Sequence, residues 1–171
     1  IKDLWNDSHR MVITTITVTP AEKAAVVDSL KVSVDQLAVA RDAIAVIVNP
    51  GAPDSLFDMT DIKSVLAGTY KRPLIPVFDG VKATSTVRYI VDSVMKGAKL
   101  TANAVAARTS DSVINYVAKN PNAIGFIGVS WIGNPHDDQQ LSFLEKVKIS
   151  HLKSTDKEGK YILPVQANLY G

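Results

Sequence analysis

The stretch Ala43-Ile44-Ala45-Val46-Ile47-Val48-Asn49 decides the fold. Its first six residues are apolar at odd and even positions alike, so both faces of the strand it forms need covering. Such a strand belongs inside a sheet with helices on both sides, and Asn49-Pro50-Gly51 stops it with a turn signal. Residues 74–78 (LIPVF) and 123–129 (AIGFIGV) have the same character, with shorter strands expected at 104–107 and 147–152. Helical patterns fill the intervals. Thr60 is expected to cap a helix over 60–67 that Gly68 ends. Over 85–96, Val87, Ile90, Val91, Val94 and Met95 form an apolar stripe closed by Gly97. Another helix starts at Ser110, turns Val113, Ile114 and Val117 to one side, and ends at Asn120-Pro121. Upstream, Thr19-Pro20-Ala21-Glu22 opens a helix with a capping box that runs to about residue 30. Val32, Val34, Leu37 and Val39 then suit a strand, as does the run 11–15. Strands alternating with helices make an α/β protein.

Composition bounds the function. The 171 residues suffice for one sizeable core and not for two full-sized domains. The 19 basic and 17 acidic residues nearly cancel, which gives no general reason to expect a nucleic-acid polyanion as partner. The apolar run 43–48 is far shorter than a membrane span of about 20 residues. With no cysteine there is no disulfide, thiol nucleophile or thiolate metal site, a composition that suits cytoplasm and periplasm equally. The chain starts at Ile1 without an initiator Met and is read as processed or a fragment.

The chemistry is concentrated where strand 74–78 feeds Asp79-Gly80-Val81-Lys82-Ala83-Thr84-Ser85-Thr86 and then a helix. The first turn of a helix presents unpaired N–H groups and partial positive charge. Hydroxyls of Thr84, Ser85 and Thr86 add donors, and Lys82 adds charge, which suits a small tetrahedral oxyanion. Asp79 fits if the anion still carries a proton that the carboxylate can accept in a hydrogen bond. The competing reading is a plain N-cap, the commoner job of a Ser/Thr cluster at a helix start. The loop is neither a P-loop nor a dinucleotide fingerprint.

Three blocks carry a family resemblance: DAIAVIVNP, then FDG…ATSTVRYIVDSVMKG, then ANAVAARTSDSVINYVAKNPNAIGFIGVSWIGN. Together they resemble the phosphate-binding subunit of bacterial ABC phosphate transporters, and more narrowly the PstS-like proteins of Bacteroidetes-type bacteria. The resemblance runs over about 11–133. It implies a two-lobed, periplasmic-binding-protein-like type 2 α/β fold with mixed sheets flanked by helices, here lacking part of the first lobe. Residues 1–44 would be a partial first lobe, 45–133 the second lobe with the oxyanion loop, and 134–171 a return segment. Asp79 and Gly80 match the family's D-G, and Ser85 the Ser of its S-G-T, flanked by Thr84 and Thr86. Val77 stands where many members carry an Arg; Arg88 either replaces it or lies on the helix surface. Thr14 and Thr15 are the first-lobe ligand candidates.

The resemblance implies an extracytoplasmic solute-binding protein that is not an enzyme and needs no cofactor. It would take phosphate or a related oxyanion and deliver it to an ABC permease. The location would be periplasm or cell envelope, with membrane attachment only through an N-terminal lipid anchor outside this chain. The alternative is an adhesion, signalling or scaffold module of the same fold with a degenerate site. His9, His136 and His151 have no metal-ligand spacing, and no His-Asp pair attends Ser85. His136-Asp137-Asp138 is expected to be a polar loop, and Lys146, Lys148, Lys153, Lys157 and Lys160 are expected to be edge-strand and turn charges. Trp131 is expected to pack partly into the core or to line a cleft between lobes.

Overall fold

The computed structural model describes residues 11, 13, 18–31, 33, 35–40, 42–80, 84–134, 136–155 and 158–164. The chain divides into two compact units, 1–41 and 42–171. In the first, helix α1 (Pro20–Leu30) forms where the sequence predicts it. The Thr19 hydroxyl accepts from the Glu22 N–H (3.2 Å), and the Glu22 carboxylate accepts from the Thr19 N–H (2.8 Å), completing the capping box. The strand expected after it is corrected: Leu37 and Val39 lie outside any strand and are 85% and 74% exposed. β-Branched spacing makes a strand only where a neighbour supplies a ladder and cover. Val32 and Val34 lie outside the described residues, as do Thr14 and Thr15. Of the run 11–15, Met11 and Ile13 are described, and both are exposed and outside any strand.

The second unit contains β1 (Ile44–Val48), β2 (Leu56–Phe57), α2 (Met59–Ala67) and β3 (Ile75–Phe78). Then come α3 (Ser85–Tyr89), continued by a π-helical turn Ile90–Val94, β4 (Val105–Ala106), α4 (Ser110–Lys119) and β5 (Ala123–Gly128). A 3₁₀ turn Val129–Trp131, α5 (Asp138–Lys146), β6 (Lys148–Ile149), β7 (His151–Lys153) and β8 (Tyr161–Ile162) complete the described elements. The main sheet has the order β4-β3-β5-β1-β6. Strands β4, β3 and β5 run parallel, whereas β1 is antiparallel to both its neighbours, β5 and β6. A smaller sheet, β2-β7-β8, stands apart from it in the ladder.

The doubly apolar strands do what their composition requires. Ala45, Ile47, Val77, Ala123 and Ile127 join one core with Val113, Ile114 and Val117 of α4 and Phe143 of α5. Val46, Val48, Phe78, Ile124 and Phe126 join the other, with Ile62, Val65 and Leu66 of α2 and Val87, Ile90 and Val94 from α3 and its π turn. Phe78 and Phe126 stack across that second core at 5.1 Å. Gly125 is a packing requirement: a Cβ there would come within 2.8 Å of Ile47 Cγ1 and Val113 Cγ1 and 2.9 Å of Val117 Cγ2. Its hydrogen lets α4 seat directly on β5.

Local chemistry shifts several expected boundaries. Asp58, not Thr60, caps α2, because its carboxylate accepts from both Thr60 and Asp61 N–H while the Asp61 carboxylate accepts from the Asp58 N–H. One carboxylate serves two donors where a hydroxyl would serve one. Gly68 ends the helix in the left-handed region at φ 76°, as expected. The strand expected over 147–152 is two short ones in different sheets, broken at Ser150, whose N–H donates to Val46 O while His151 N–H donates to Ser55 O. The polar loop at His136 is followed by a helix that the sequence reading missed. Asp137 caps α5, and Lys146 sits in its last turn, not on an edge strand. No described helix is long and apolar enough to cross a membrane.

Candidate functional site

Strands β3, β4 and β5 all point their carboxyl ends the same way, and β1 starts at that end. The end therefore gathers Asp79 after β3, Arg108 after β4, the turn Val129–Trp131 after β5 and Asp42 before β1. In open α/β sheets, ligands bind at the carboxyl ends of parallel strands. The Asp42 carboxylate accepts from the Ala43 N–H at 2.8 Å, and Val129 N–H donates to Ala43 O at 2.9 Å, which ties the two crossings together. Trp131 is 38% exposed there, so its ring is only partly packed.

Asp79 follows directly on the buried Val77-Phe78 pair. Its Oδ1 is buried and has no hydrogen-bond partner among the described residues. An unpaired buried carboxylate oxygen is costly, about 1–3 kcal/mol or more, and calls for a donor. Gly80 follows, and a Cβ there would come 3.1 Å from Thr84 Cγ2, so Gly80 lies close against the helix start. Thr84 is the N-cap of α3: its hydroxyl oxygen accepts from the Val87 N–H at 3.3 Å. Capping and anion binding are compatible, because the cap uses the oxygen lone pair and leaves the O–H free to donate.

Ser85 is exposed as the first residue of α3, while Thr86 is 6% exposed and packs inward beside Val87. Thr84 and Ser85 thus stay at the helix mouth, whereas Thr86 belongs largely to the core side. Arg88 is exposed in the last turn of α3, on the side away from buried Val87 and Ile90. Lys82 lies outside the described residues, like Thr14 and Thr15.

Sequence reasoning overlooked Arg108. Val77 and Phe78 pair in parallel with Val105 and Ala106, and Ala107 N–H donates to Phe78 O at 2.7 Å, so the ladder continues one step past β4. Arg108 therefore comes alongside the Asp79-Gly80 turn. The available signal was an Arg directly before a Thr N-cap: Thr109 accepts from the Ser112 N–H at 3.3 Å at the start of α4.

A mixed sheet with a core on each face and polar loops converging on its carboxyl end is the architecture of a ligand-binding α/β domain. A family model described as a PBP superfamily domain matches residues 1–171, and the chain belongs to that superfamily. Its fold is the type 2 form shared with solved relatives. A possible phosphate binding protein from Planctomyces limnophilus DSM 3776 is 16% identical at a TM-score of 0.68, the match covering 98% of this chain and 60% of that one. PstS from Borrelia burgdorferi is 15% identical at a TM-score of 0.66, with 91% and 62% covered. An ABC-type phosphate transport receptor from Vibrio cholerae is 19% identical at a TM-score of 0.50, with 67% and 48% covered. The chain spans about three fifths of the length of the first of these relatives. No curated protein matches it.

Proposed function

We propose that the chain is the greater part of a solute-binding protein that takes phosphate or a similar small oxyanion for an ABC transporter. The observation that carries this reading is the buried Oδ1 of Asp79, without a hydrogen-bond partner among the described residues, beside the capped start of α3. A carboxylate needing a donor, next to helix N–H groups needing an acceptor, suits a ligand that offers both, as a protonated tetrahedral oxyanion does. Asp79, Gly80, Thr84 and Ser85 would form its contacts, with Thr86 behind them and Lys82, Arg88, Thr14 and Thr15 as further candidates. The three sequence blocks support the Bacteroidetes-type PstS-like subgroup.

In this reading residues 1–44 belong to a first lobe and 45–133 to the second. Residues 134–171 are the return segment, whose β6 joins the edge of the second-lobe sheet. The protein works in the periplasm or cell envelope, held by a lipid anchor upstream if at all, hands its ligand to a permease, and performs no chemistry on it. Isothermal titration of the full-length protein with phosphate and with sulfate tests this. Heat is expected with phosphate, weakened by at least about tenfold in Asp79→Ala and Ser85→Ala, as loss of a charge-assisted contact implies. No heat with either anion overturns the reading and leaves the scaffold alternative.

A further inference from the structure

We propose that Arg108 supplies a forked cation to this oxyanion site. The inference rests on the oxyanion reading above and adds a contact to it. Val77, which precedes the Phe78-Asp79 pair, is fully buried in the core beneath the sheet, so β3 itself offers no cation to the site. The neighbouring strand does. The β3–β4 ladder, extended by the Ala107 N–H to Phe78 O bond, carries Arg108 alongside the Asp79-Gly80 turn.

Three further observations select it. Arg108 is exposed and makes no hydrogen bond or ion pair among the described residues, so its five donors are uncommitted. Arg72, by contrast, is held by Asp54 away from this end of the sheet. Arg88 starts from the outward side of α3, whereas Arg108 leaves the end of a strand adjacent to β3. Finally, Thr109 caps α4, a ten-residue helix, so the backbone from which Arg108 springs is fixed on both sides, by a ladder bond and by a cap. Guanidinium and tetrahedral oxyanion match as a two-point fork, which an ammonium cannot reproduce.

Titration calorimetry of the full-length protein with inorganic phosphate tests this. Arg108→Ala is expected to weaken phosphate binding by roughly 10- to 100-fold, the usual worth of a charge-assisted pair. Arg108→Lys should restore only part of that loss, since an ammonium lacks the second arm of the fork. Circular dichroism of each variant confirms an unchanged fold. Parent-like affinity in Arg108→Ala or in Arg108→Lys overturns the proposal while leaving the phosphate reading intact. A parent protein that itself takes up no phosphate overturns both.

Discussion

At the scale of single residues, two carboxylates in the second unit have opposite fates. Asp54 is satisfied: it pairs with Arg72 and accepts from the Tyr70 hydroxyl at 3.1 Å. Partial burial, then that hydrogen bond and the charge of Asp54, push the Tyr70 phenol up to about 12. Because the folded value lies above the unfolded one near 10, the neutral phenol stabilises the fold fully below pH 10, and the contribution is lost as pH rises through 12. Tyrosinate absorbance should therefore show a late-titrating component that Tyr70→Phe removes. An unchanged curve in that variant would contradict the assignment. Asp79 Oδ1 is buried but finds no hydrogen-bond partner among the described residues, and the proposed oxyanion would supply one.

Elements explain what the sequence made legible. Strands β1, β3 and β5 were readable because burial on two faces leaves an unbroken apolar run, here too short for a helix and bounded by turn signals. Helix α1 was readable because its cap is written in four consecutive residues. Helix α5 was not: DQQLSFLEK buries only Phe143, and a nine-residue helix with one anchor has too little apolar period to show. Asp79, Thr84 and Ser85 could be picked out as neighbours in sequence. Arg108 could not, since only the parallel register of β4 on β3 brings it to them. Gly125 shows the same dependence on packing. Gly125→Ala should destabilise the protein by about 1–3 kcal/mol, since Ile47 and Val113 would both have to move. Urea denaturation measures this, and a midpoint equal to the parent's would mean that α4 shifts freely on the sheet.

For the whole molecule, a ligand that needs the folded Asp79 site binds the native state and not the unfolded chain. Phosphate at a hundred times its dissociation constant should then stabilise the full-length protein by about 2.7 kcal/mol, visible as a rise in melting temperature of a few degrees. Chloride at matched ionic strength should leave the melt where it was. Equal shifts with both salts would reveal a general ion effect and no site.

The pairing of β1 with β5 also sets a clock. Ile44 and its partner Gly128 are 84 positions apart (128 − 44), and β5 joins β1 to the parallel strands. Until β5 has been made, β1 has no neighbour on that side. At about 5–20 residues per second, synthesis needs on the order of ten seconds to cover that distance. Throughout that interval the strand with the most continuous apolar character in the chain stays unpaired on its β5 side. Over those seconds the apolar edge of β1 that β5 will cover is open to whatever else in the chain can pair with it.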